Sequence, residues 1–218
     1  MRTLVKLIVL LATTAVSANA TVITFDSRAD FEAATGAAVV GAIPESGSTV
    51  EFSIGSLNFK NAGGGSTLNA SLNWSTKISE AFDLAINGPE NFDVDSTTPL
   101  YSFGFDFHEP TAPRPPAFPD TCNLPTCVDS TFQLRLLSGM TTVALYEFTR
   151  PKDSLEFVGI WTSDPFDRIE IRETVGTADN EFFGNFTIGT TPAPEPVSLA
   201  LFGIGLTGLA LARRKRRK

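Results

Sequence analysis

Carboxylates are the most abundant reactive groups in this chain, with twenty-four Asp and Glu against a single histidine, two cysteines and two tryptophans. Glycoside hydrolysis needs two acids held about 5–10 Å apart, one of them with a raised pKa. Asp106 with Glu147, or Glu170 with Glu181, would supply such a pair if facing strands brought them together, but no spacing in the sequence selects either. Hard oxygen ligands are the other use of acids. Asp93-x-Asp95 in a loop, or Asp179-Asn180-Glu181, offers oxygens for a weak structural calcium ion, although neither follows an EF-hand loop. Turn-forming Asp and Asn account for both equally well.

Nucleophilic catalysis finds no motif. Gly-x-Ser-x-Gly and His-Glu-x-x-His are absent, and Gly63-Gly64-Gly65 is followed by Ser66-Thr67 rather than the Gly-Lys of a phosphate-cradling loop. The expectation is a chain with no catalytic residue and no cofactor beyond a structural calcium. Sugar binding asks for less, since an aromatic face stacks on the apolar side of a sugar ring while acids and amides bond its hydroxyls. Trp74, Tyr101 and His108 are the candidates, with Tyr146 and Trp161 behind them. Trp74 stands in polar surroundings, Asn69-Ala-Ser-Leu-Asn-Trp-Ser-Thr76, which predicts exposure; Trp161 stands in an apolar strand, which predicts core.

The elements that must carry these residues are mostly strands. Ser27 to Ala34 reads as a brief helix, capped by Asp26 or Ser27 and stopped by Gly36, with Phe31 and Ala34 toward the core. Beyond it the apolar pattern has period two, broken by Gly, Pro, Asn and Asp. Thr21–Phe25 before the helix, then Val50–Ile54, Leu57–Phe59, Tyr101–Phe107, Thr131–Leu136, Val143–Phe148, Leu155–Trp161, Arg168–Arg172 and Phe182–Ile188 are the predicted strands. Many short, Phe-rich strands with one helix predict an antiparallel β-sandwich or jelly roll, whose eighteen Phe make its core. Glu109 to Cys122 carries too many prolines for a central strand and is expected to be a surface excursion.

Both ends of the chain stand outside that pattern. Arg2 and Lys6, the apolar run Leu7–Val16 and Ala18-Asn19-Ala20 make up a secretory signal peptide, residues 1–20, cut before Thr21. At the other end, a Pro-rich hinge over residues 191–196 precedes an uncharged apolar run at 197–212 and the cations Arg213-Arg-Lys-Arg-Arg-Lys218. Sixteen apolar residues approach the length of a membrane-spanning helix, and the basic tail 213–218 would stay cytoplasmic. A single domain is expected between them, over residues 21–190. Eight of the seventeen Lys and Arg lie in the two ends, leaving nine against twenty-four acids, about −15 in the remainder. So acidic a surface repels nucleic acid and anionic lipid. Export also favours a disulfide between Cys122 and Cys127, since zinc lacks a second cysteine pair and has only one histidine to draw on.

The order Pro194-Glu195-Pro196, apolar run and Arg-rich tail resembles the PEP-CTERM protein-sorting signal of exopolysaccharide-producing Gram-negative bacteria. Ser102-Phe-Gly-Phe-Asp-Phe107 and Phe157-Val-Gly-Ile-Trp-Thr-Ser-Asp-Pro-Phe-Asp-Arg-Ile169 are similar to the globular parts of many such proteins, predicted jelly rolls with the look of carbohydrate-binding modules. The closing strand departs from them, reading Asp179-Asn-Glu-Phe-Phe-Gly-Asn-Phe186. The resemblance implies delivery by the Sec machinery and a transient hold in the inner membrane. It further implies recognition of Pro194-Glu195-Pro196 by an exosortase and release to the cell surface or extracellular matrix. Exopolysaccharide is the implied partner there.

Overall fold

A computed structural model describes residues 20–62, 67–70, 78, 82–87, 90–108, 130–149, 155–175 and 181–192. In chain order these form β1 (Val22–Phe25), α1 (Arg28–Thr35), β2 (Ala38–Val39), β3 (Ser46–Thr49), β4 (Glu51–Ile54), β5 (Leu57–Asn61), β6 (Thr67–Ala70), β7 (Leu84–Asn87), β8 (Phe92–His108), β9 (Thr131–Ser138), β10 (Thr141–Thr149), β11 (Leu155–Val175) and β12 (Phe182–Gly189). The strand pairings are all antiparallel.

Two long strands organise the sheet. β8 runs 17 residues and β11 runs 21, several times the usual strand length. They pair along both halves, Leu155–Trp161 against Ser102–His108 and Arg168–Ile171 against Phe92–Asp95, with register shifts between Trp161 and Arg168. Such irregularities bend a strand, so each serves two layers. The first layer runs β4-β5-β8-β11-β9-β10, through Phe92–Asp95 and Arg168–Val175. In the second, β1 pairs with the start of β11, whose neighbour is the end of β8; β12 follows, with β2 and β7 beside it and β6 and β3 beyond.

Period-two alternation decides what fills the space between the layers. Phe59, Phe92, Phe132 and Phe148 point inward from the first layer and Phe103, Phe105, Phe107, Phe183 and Phe186 from the second, all at most 4% exposed. Ring pairs cross the gap, Phe59–Phe186 at 4.6 Å, Phe92–Phe183 at 5.0 Å, Phe107–Phe132 at 5.4 Å and Phe105–Phe148 at 6.0 Å between centroids. Edge-on and tilted geometries suit the ring quadrupoles, adding to an apolar burial of about 25 cal/mol per Å².

α1 lies on the outer face of the second layer, where Phe31 packs against Phe157 and Phe25 as a small separate cluster. Ser27 caps it by accepting from the Asp30 amide at 3.3 Å, and Gly36 ends it in the left-handed region at φ 66°. Phe31 is buried as expected, but Ala34 is exposed and Thr35 takes its place. The Thr35 hydroxyl donates to the Phe31 carbonyl at 2.7 Å and accepts from the Ala37 amide at 3.2 Å, which makes its burial tolerable.

Two sequence expectations need correction. Asp93 and Asp95 lie on a strand rather than in a loop, and Leu155–Trp161 and Arg168–Arg172 are parts of one strand. Among the described residues no helix is long and apolar enough to cross a membrane. The apolar run 197–212, the signal-peptide residues 1–19, Trp74, Cys122, Cys127 and Asp179 lie outside the described residues.

Candidate functional site

The outer face of the first layer concentrates the charged side chains. Because Phe92 and Val94 point inward, Asp93 and Asp95 point out; because Ile169 and Ile171 point inward, Arg168, Glu170 and Arg172 point out beside them. Arg168 pairs with Asp93 at 2.6 Å and Glu170 at 3.2 Å, Arg172 reaches Asp93 at 2.5 Å, and Arg135 on β9 holds Glu170. Lys60 on β5 bonds Asp95 at 2.8 Å. Two of the acids are the covered partners: Glu170 and Asp93 side chains are 11% and 13% exposed, whereas Arg168 and Arg135 are 42% and 45% exposed.

Electrostatics follow from that stacking. Burial works against the charge on Arg168, but Asp93, then Glu170 and Asp95, outweigh it and raise its pKa further above the ordinary arginine value. The hydrogen bond to Asp95, and then its charge, raise Lys60 above its usual 10.5. Asp93 and Asp95 each bond guanidinium or ammonium partners on this face. Among the described residues no group of three or more His, Cys, Asp or Glu could hold a metal ion.

The second layer's outer face is a clamp for α1. Arg28 ion-pairs with Asp106 at 2.8 Å, donates to the Asn185 carbonyl at 2.9 Å and to Thr187 Oγ1, and lies 4.8 Å from the Phe157 ring centroid. Asn185 sits at φ 47° and donates its amide to Asp106 at 2.8 Å. Gly104 and Gly159 face each other across β8 and β11, and the Phe157 ring lies in the slot they leave. The sequence segments around Phe103–Phe107 and Phe157–Ile160 thus encode helix docking, with Asp106 as its anchor.

Both carboxylate pairs come apart. Asp106 faces α1 on the second layer, while Glu147 is exposed on β10 at the edge of the first, so the sandwich separates them. Glu170 lies under guanidinium groups, and Glu181 is fully buried ahead of β12, accepting from Ser130 at 2.6 Å. The aromatic candidates are also dispersed. Tyr101 and His108, both half-buried, stand on one strand seven residues apart, roughly 23 Å. Tyr146 packs on the core beside Phe148, and Trp161 is half-buried on the face that also presents Phe157 and Gly159. Sequence reasoning missed the Arg135–Arg168–Arg172 surface, although the strict alternation of Phe92-Asp-Val-Asp95 and Arg168-Ile-Glu-Ile-Arg172 carried the signal.

At its C-terminal end, β12 finishes at Gly189 on Ser102, and Thr190, Thr191 and Pro192 leave the sandwich exposed. Residues 192–217 match the PEP-CTERM protein-sorting motif. This chain carries a PEP-CTERM sorting signal. Its Pro194-Glu195-Pro196 core begins five positions beyond the last strand residue.

Among curated proteins none matches the sequence. Solved structures with similar architecture include a family 29 carbohydrate-binding module complexed with mannohexaose, at 14% identity and TM-score 0.41, covering 71% of this chain and 91% of that one. A family 11 module from Clostridium thermocellum, in complex with a mixed-linked tetrasaccharide, follows at 8% identity and TM-score 0.37, covering 68% and 99%. A xylan-binding family 22 domain has 14% identity and TM-score 0.34, covering 70% and 100%. Likeness at this level assigns no ligand to this chain.

Proposed function

We propose that this is an exported, non-catalytic cell-surface or extracellular-matrix protein, sorted and processed through its PEP-CTERM signal. The match over residues 192–217 carries the reading. In it, residues 1–20 are the signal peptide read by the Sec machinery, 21–190 the folded domain, 191–196 the hinge, 197–212 a transient inner-membrane helix and 213–218 its cytoplasmic tail. Prolines keep the hinge extended and out of the helix, so an exosortase reaches it, and Glu195 gives the enzyme a charge to recognise. Replacing Pro194, Glu195 and Pro196 by Ala is expected to leave full-length protein in the inner membrane on fractionation. Unchanged release would remove the proposal.

A second reading makes the domain a carbohydrate-binding module for exopolysaccharide. It is favoured by the outer face of the first layer, where Asn58, Lys60, Gln133, Arg135 and Arg168 offer hydrogen-bond donors on a self-neutralised surface. Such a face suits hydroxyl-rich polymers of low charge, because its cations already have carboxylate partners. Titration with the host's exopolysaccharide should give weak binding that Arg135→Ala reduces severalfold; no binding at millimolar sugar would end this reading.

A further inference from the structure

The strand register places both chain ends at one end of the sandwich. Val22 and Ile23 pair with Thr162 and Trp161, Trp161 pairs with Ser102, and Ser102 pairs with Gly189. The exit of β1 is thus three strand spacings from the exit of β12, about 14 Å. Thr21 is locked there, donating to Ser163 Oγ at 2.9 Å and accepting from the Ser163 amide at 3.0 Å. The tight turns gather at this same end. Gly55-Ser56 sits beside Thr97, whose amide donates to the Ser56 carbonyl at 3.0 Å, and Gly139-Met140 sits beside Asp167, which accepts from the Gly139 amide at 3.0 Å. The connections 109–130, 150–154 and 176–181 all join strands at the other end, past His108, Thr149 and Val175.

We infer that the end bearing Met140, Pro99 and Pro165 is a bilayer-facing surface, held close to lipid while the chain is tethered. The inference rests on the reading that 197–212 spans the inner membrane. Its argument is length. From Gly189 to Val197 the chain spans eight Cα steps, which reach at most about 29 Å fully extended. β12 alone is roughly 23 Å long, so inverting the domain would consume most of the linker along the length of that one strand. The surface also suits close approach without adhesion. Its described tips, Gly55-Ser56, Thr97-Thr98-Pro99, Gly139-Met140 and Ser163-Asp164-Pro165, contain no Lys or Arg, and Met140 is 99% exposed. Contact is therefore set by the tether, not by attraction to anionic headgroups.

Met140 reports on its own surroundings, since the only other methionine is Met1. The full chain in phosphatidylcholine vesicles is compared with a full chain carrying a Gly/Ser insert of about twenty residues between Thr191 and Pro192. Peroxide oxidation of Met140, read by peptide mass spectrometry, should be at least about threefold faster in the long-linker chain, because sulfoxide formation follows exposure. Equal rates with both chains floating with the vesicles would overturn the inference alone. If neither chain floats with the vesicles, the membrane-spanning reading fails and the inference falls with it.

Discussion

Gly104 has no side chain because the Phe157 ring occupies that space: an added Cβ would meet Phe157 Cζ at 2.6 Å and the Val158 carbonyl oxygen at 3.1 Å. The ring cannot retreat, since Phe31 packs behind it at 5.3 Å between centroids. Gly104→Ala is therefore expected to cost about 1–3 kcal/mol in denaturant unfolding, as overpacking does. Phe183 makes the complementary case. Its ring touches Phe92, Phe105, Phe107 and Phe132 from both layers, so Phe183→Ala should cost about 3–5 kcal/mol by the same measurement. Lys60 gives a pH signature with a definite sign. Its folded pKa lies above 10.5, so the stability it adds is fully present below that value and is lost as pH rises through the folded pKa. The Tm difference between wild type and Lys60→Met should hold steady from neutral pH to about 10 and then close.

At the scale of elements, α1 and the bent strands carry the argument. Arg28 joins the helix to β8 through Asp106, to β12 through Asn185 and Thr187, and to β11 through Phe157. Arg28→Ala should loosen the helix, costing about 1–3 kcal/mol and speeding amide exchange over Arg28–Thr35 before the rest of the domain. The helix was legible because its cap, stop and Phe31 obey local rules; Ala34 was misjudged because Thr35 satisfies its hydroxyl within the last turn. The strand at Phe92–Asp95 was misread as a loop because Asp disfavours strands unless a neighbour compensates it, and the compensating Arg168 and Arg172 are more than seventy residues away. Cross-strand pairing of that range is invisible to any local pattern. The continuous span of β11 was hidden for a similar reason: Ser163-Asp-Pro165 has turn composition, and here it makes the corner where the strand changes layer.

For the whole molecule, the β-rich class and the Phe core followed from alternation alone, whereas the sorting signal followed from the resemblance of three adjoining blocks to the PEP-CTERM signal. The candidate residues Asp106, Glu147, Glu170 and Glu181 did not converge, because acids alternating along strands end up on whichever face the apolar set leaves free. What remains is a sandwich whose first strand begins at Val22 and last ends at Gly189, between two segments that read as export signals. The central claim is that the working protein is that sandwich without its ends. Intact-mass and terminal-peptide mass spectrometry of the protein recovered from the cell surface tests it most directly. The account predicts an N-terminus at Thr21 and loss of the apolar run and basic tail, residues 197–218; surface protein that still carries Arg213–Lys218 would contradict it.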